Sequence, residues 1–96
     1  MVIIKCMENV HEITTRLQRL GYADIHEYDD LAHEEFPDHA HDGDQLLVVV
    51  RGDMEVTMDG QVSKLMPNDE MYFPAKKVHS AKVGADGCLY LVGEKK

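Results

Sequence analysis

The stretch that decides the fold is His39-Ala40-His41-Asp42-Gly43-Asp44-Gln45-Leu46-Leu47-Val48-Val49-Val50-Arg51-Gly52. In extended backbone, two histidines one residue apart project from the same face with their Cα atoms about 7 Å apart, so both imidazoles can reach one ion. Gln45 shares their parity and follows a turn at Asp42-Gly43-Asp44, which lets its amide oxygen enter the same site from the start of the next strand. From Gln45 to Val50 the run is apolar on both faces, with Leu47 and Val49 pointing one way and Leu46, Val48 and Val50 the other. One face can line an interior. The other calls for cover by a second sheet's edge, an N-terminal helix or another subunit. Gly52 then reads as a bend or bulge before Met54, Val56 and Met58, which alternate with Glu55, Thr57 and Asp59 as a half-buried strand.

Working outward, the same punctuation recurs at Asp29-Asp30, Arg51-Gly52-Asp53, Asp59-Gly60, Pro67-Asn68-Asp69 and Asp86-Gly87. Gly, Asn and Asp tolerate positive φ, so these positions predict turns between short strands. That spacing suits an antiparallel sandwich or barrel better than alternating strands and helices. Upstream, Val2 to Lys5 is β-prone. Glu8 to Leu20 places Val10, Ile13, Leu17 and Leu20 at helical spacing, with Gly21 as the C-terminal stop. The apolar face of that helix is expected to pack on the domain itself, since a small domain needs it for its core.

The 96 residues fit one domain. Eighteen acidic residues against ten basic ones give a net charge of -8, which repels a phosphate backbone and argues against nucleic acid and anionic membrane as partners. No window approaches the roughly 18 apolar residues of a spanning helix. The opening residues lack the basic start and small-residue cleavage site of a targeting segment, which predicts a cytoplasmic location. Cys6 and Cys88 have no CxxC spacing and are expected to be reduced, with Cys88 a buried structural thiol.

His79, five positions after Pro74, completes a pattern that resembles the cupin superfamily, in particular small single-domain cupins with an RmlC-like, type-2 conserved barrel. The first cupin motif, G-x5-H-x-H-x3-E-x6-G, falls here on His33, His39, His41, Gln45 and Gly52, with departures at His33 and Gln45. The second, G-x5-P-x-G-x2-H-x3-N, falls on Asn68, Pro74, Lys76, His79 and Val83, of which Pro74 and His79 match. Fifteen residues separate Gly52 from Asn68, the short spacing of small microbial cupins. The resemblance implies an all-β cupin double-stranded β-helix, a jelly-roll-like barrel with one short N-terminal α-helix. A single domain over 1–96 is expected, with strand and helix in 1–21 and the conserved barrel in 22–93.

It also implies one divalent metal ion (zinc, iron, manganese, nickel or copper) held by His39, His41, Gln45 and His79. Glutamine in place of the usual glutamate leaves such an ion its full charge, which favours anionic or chelating oxygen ligands. The alternative is that the three histidines are polar barrel residues, as in cupins that have lost metal, although converging imidazoles without an ion would be a costly use of buried polar groups. His33, Glu34 and Tyr72 are the further pocket candidates, as acid, base or ligand-orienting groups, while His11 and His26 are expected on the surface.

Two functions follow from the resemblance. One is a metal-dependent enzyme, of dioxygenase, isomerase or lyase type, on a small oxygen-rich substrate such as a sugar acid, enol or diketone. The other is a non-catalytic small-molecule or metal-binding sensory module. A small-molecule ligand is expected in both, and a homodimer, because many cupins pair.

Overall fold

The computed structural model describes residues 9–95. The β-prone stretch at Val2 to Lys5 therefore lies outside the described residues. Helix α1 spans Val10–Arg19, with the Asn9 side chain accepting the Glu12 N–H as its N-cap. Its end is closed by two backbone bonds: Gly21 N–H donates to Gln18 O and Tyr22 N–H to Leu17 O, both at 3.0 Å. This is the reverse-turn cap that needs a left-handed residue, and Gly21 supplies it at φ 94°.

Six strands follow: β1 (Asp24–Asp30), β2 (Glu35–His39), β3 (Asp44–Met58), β4 (Gln61–Leu65), β5 (Glu70–Phe73) and β6 (His79–Lys95). The two long strands pair antiparallel along their whole length, from Asp44↔Lys95 to Met58↔His79. Near the Asp44 end they are flanked by β1 on β6 and β5 on β3. Near the Met58 end they are flanked by β2 on β6 and β4 on β3. The fold is thus two four-stranded halves, β1-β6-β3-β5 and β2-β6-β3-β4, that share their central strands and fold onto one another as a β-sandwich of jelly-roll type.

Two of the expected turns lie instead inside strands. Arg51-Gly52-Asp53 does not separate two strands but sits within β3, and Asp86-Gly87 within β6. The β3–β6 register shifts between Val49 and Arg51 and again between Gly52 and Met54, and Gly52 and Gly87 both have positive φ. Bulges at these points bend both long strands together, which lets one pair of strands serve both halves. Asp29-Asp30 ends β1, with the turn following at 31–34. Asp59-Gly60 does form a two-residue hairpin turn, both residues having positive φ.

The two faces of β3 bury as their parity predicts. Leu47 and Val49 join Met54, Val56, Leu65, Phe73, Val83, Cys88 and Tyr90 between the halves. Leu46 and Val48 pack instead with Ile13, Leu17, Tyr22 and Leu91. The outer cover is therefore α1, whose Ile13 and Leu17 are 0% exposed. Full burial of such side chains is worth about 1.5–3 kcal/mol each, enough to hold a ten-residue helix that is marginal alone. Among the described residues no helix is long and apolar enough to cross a membrane.

Cys88, 2% exposed, is a free thiol in the interior. Burial, with Asp53 and Asp30 adding to it, pushes its pKa from 9.0 up to about 12. Because the folded value lies above the unfolded one, the stability linked to this thiol is complete below pH 9.0 and is lost as pH climbs toward about 12. In a Cys6→Ser variant, a disulfide reagent such as DTNB in mildly alkaline buffer is expected to leave the native protein unlabelled and to label the urea-unfolded chain at once. Rapid labelling of the native protein would show that the thiol reaches solvent.

Candidate metal centre

His39 is the last residue of β2 and lies directly opposite His79, the first residue of β6, in antiparallel register. His41 follows in the β2–β3 connection, tied to the β5–β6 connection by Lys76 N–H donating to His41 O and by Ala75 N–H donating to Asp44 Oδ1 at 2.8 Å. These bonds hold together the two connections that flank the histidines. Ring centroids are 4.4 Å apart for His39 and His79, 4.9 Å for His39 and His41, and 5.5 Å for His41 and His79. One ring nitrogen of each lies within 4.8 Å of those of the other two, a separation that small ring rotations close onto one ion.

The hydrogen bonds set the tautomers. His39 Nδ1 lies 2.7 Å from Pro37 O, and His79 Nδ1 lies 3.1 Å from Lys77 O. A carbonyl only accepts, so each Nδ1 carries the hydrogen and each Nε2 keeps its lone pair for a ligand role. Burial lowers the pKa of His41, and the neighbouring His39 lowers it further. Burial likewise lowers that of His79; the Lys77 carbonyl opposes this, and His39 and His41 reinforce it. Both rings are thereby biased toward the neutral form that binds metal. Phe73 stacks on His79 with centroids 4.1 Å apart and an interplanar angle of 22°, fixing the ring's plane.

Gln45 is 8% exposed and pairs with Phe73 on one side and Glu94 on the other. Its Nε2 donates to Glu94 Oε1 at 2.8 Å. With the amide nitrogen engaged there, Oε1 is the end of the side chain left for the cavity. His39, His41, Gln45 and His79 all line one cavity of about 220 Å³, shared with Tyr28, Asp30 and Tyr90 and otherwise walled largely by apolar side chains.

The three further pocket candidates lie elsewhere. Tyr72 pairs with Leu46 and shares its parity, so it sits on the outer face of the sheet at 48% exposure while its neighbour Phe73 faces in. His33, at φ 64°, lies in the β1–β2 turn and borders a separate depression beside Asp53 and Lys64. Glu34 is exposed in the same turn, where its carbonyl accepts the Val83 N–H at 2.8 Å. Proximity to the motif in sequence misleads because that turn lies across the fold from the β2–β3 connection. His26, as expected, is exposed, with Nε2 2.9 Å from Asp24 Oδ1.

Sequence reasoning missed Glu94, Asp30 and Tyr90. Glu94 lies beyond the apolar part of β6, and only the pairing with Gln45 reveals it. Alternation along β1 was the available signal for Asp30, since Tyr28 and Asp30 share one face.

The cupin-domain family profile matches residues 28–92 of this chain. No curated protein matches it. Among solved structures, a cupin superfamily protein from Desulfitobacterium hafniense is 22% identical with a TM-score of 0.68, covering 75% of this chain and 66% of that one. An RmlC-like cupin from Shewanella frigidimarina is 25% identical with a TM-score of 0.66, covering 75% of this chain and 65% of that one. The DMSP lyase DddQ from Ruegeria pomeroyi is 20% identical with a TM-score of 0.70, covering 75% of this chain and 37% of that one. This chain thus spans about two thirds of the first two proteins and little more than a third of the last.

Proposed function

The chain belongs to the cupin-domain family, and from that premise we propose that His39, His41 and His79, with Gln45, hold one divalent metal ion in a protein that acts on a small oxygen-rich molecule. The observation that carries this reading is the pair of Nδ1–H bonds to backbone carbonyls, which leaves the Nε2 lone pairs of His39 and His79 for one centre. A divalent ion bound there supplies Lewis acidity toward ligand oxygens. The protein's own part is to bias the His41 and His79 rings toward the neutral form, to hold the Gln45 amide against Glu94, and to wall the cavity largely with apolar side chains. Sugar acids, enols and diketones present the paired oxygens that such a centre takes.

A second reading, a binding module without turnover, is favoured by one observation. Neither His33 nor Glu34, the side chains expected as acid or base, lines the cavity, and nor does Tyr72, expected to orient a ligand. The two readings separate in one experiment on untagged protein. Metal analysis is expected to give one divalent ion per chain, and a screen of uronates, flavonols and diketones, with oxygen uptake followed, is expected to reveal turnover. A ligand recovered unchanged would favour the module. Metal content well below one per chain that supplementation cannot raise would contradict the metal centre.

A further inference from the structure

Building on the reading of this cavity as a ligand site, we propose that Asp30 and Tyr90 form its hydroxyl-recognising wall, selecting a small chelating acid that carries a hydroxyl away from its chelating end. Tyr90 is 7% exposed and its hydroxyl donates to Asp30 Oδ2. Tyr28 lies directly opposite Tyr90 in the β1–β6 register and stacks on it, with centroids 5.3 Å apart at 25°. All three line the cavity that the imidazoles line.

A phenol has one hydrogen to give, and Tyr90 gives it to Asp30. Burial, reinforced by that bond, pushes the Tyr90 pKa upward, so the phenol keeps its proton. What the pair still offers is lone pairs, on the phenolic oxygen and on the carboxylate. The Tyr90–Asp30 pair can therefore accept hydrogen bonds from a ligand and, with its one hydrogen already given, donates none. The imidazole end has the opposite preference, since a metal ion there takes electron pairs from oxygen.

A ligand that satisfies both ends has two unlike poles. One chelates through oxygens; the other carries a hydrogen to donate. A second carboxylate at the Asp30 end would meet a like charge. An ammonium is drawn to the Asp30 carboxylate but must shed the hydration of a full charge to enter a cavity walled largely by apolar side chains, whereas a hydroxyl loses far less. Packing alone gives no reason for the pair, because a carboxylate set among apolar side chains loses hydration that an apolar residue would not. Phe36, Leu47 and Val56 line the same cavity, which suits a short carbon chain.

The test uses Co(II)-loaded full-length protein and straight-chain 2-oxo acids of increasing length, each with and without a terminal hydroxyl, and with a terminal amine. Binding is followed by the Co(II) visible spectrum. At least one hydroxylated acid is expected to bind about tenfold or more tightly than its unsubstituted partner, the range of a hydrogen bond to a charged group. Asp30→Ala is expected to erase that preference. Tyr90→Phe, which keeps the ring stacked on Tyr28, serves as the second variant and is expected to weaken the preference. Equal binding of every pair by the wild-type protein, or preference for the amine, would overturn the proposal. Failure of Co(II) to bind would overturn the metal reading alone, and calorimetry of the same acids with metal-free protein would then decide the role of Asp30 by the same comparison.

Discussion

Gly52→Val is expected to abolish folding, or to leave a chain that unfolds at the lowest urea concentrations. Gly52 sits at φ 78°, and a Cβ placed there would lie 2.0 Å from Gly87 O and 2.9 Å from Gly87 C. The obstacle is backbone of the paired strand, which no side-chain rotation can move. Left-handed strain costs on the order of 1–3 kcal/mol and overpacking about as much again, so the total of about 4–6 kcal/mol is comparable with the whole stability of a small domain. Gly60→Ala is the matched control. Gly60 has nearly the same φ, 75°, but nothing lies within 4 Å of its would-be Cβ, so its cost is confined to about 1 kcal/mol of backbone strain. Urea titrations of the two variants separate close approach from conformation. A Gly52→Val protein within about 1 kcal/mol of wild type would mean that β3 and β6 do not bend against each other as described.

His79→Ala is expected to remove the thermal stabilisation that added metal confers. An ion held at a thousandfold excess over its dissociation constant stabilises the folded state by about 4 kcal/mol, several degrees or more in Tm for a domain of this size. Replacing an orienting outer group typically costs 10–100-fold in metal affinity, and loss of a ligand is expected to cost about 100-fold or more. His79 is 5% exposed, opposite His39 in register and stacked on Phe73, so its loss opens the centre from its most buried side. Tyr72→Phe, on the outer face, is expected to leave the metal-induced shift unchanged. Scanning fluorimetry of metal-free protein with and without added Zn(II) reads both. An undiminished shift in His79→Ala would remove this histidine from the site.

Much of the fold was legible in the chain because its strongest signals are local. The helix announced itself by Ile13 and Leu17 at a spacing of four and by Gly21 after them. β3 declared two buried faces by carrying Leu46 to Val50 without a polar break. The shared parity of His39, His41 and Gln45 likewise placed them together without knowledge of the topology. What the sequence hid depends on non-local pairing. Gly52 reads as a bend from the sequence, whereas Asp86-Gly87 looks like the end of a strand and becomes a bend inside β6 only because each long strand is continued by its partner. Tyr72 looked like a pocket residue until the Gln45↔Phe73 register assigned the inward side to Phe73. Asp30 looked like a turn residue, and Glu94 lay past the last apolar position, yet β6 pairing brings both to the inner face.

On the proposed reading, three imidazoles and one amide gather around a single ion. Anomalous diffraction at the absorption edge of the bound metal, from crystals of the metal-loaded protein, tests this most directly. One peak is predicted per chain, about 2.0–2.2 Å from the Nε2 atoms of His39 and His79 and from a ring nitrogen of His41, with Gln45 Oε1 turned toward it. A peak held by other residues, or none at the three rings in crystals soaked to saturation, would contradict the account.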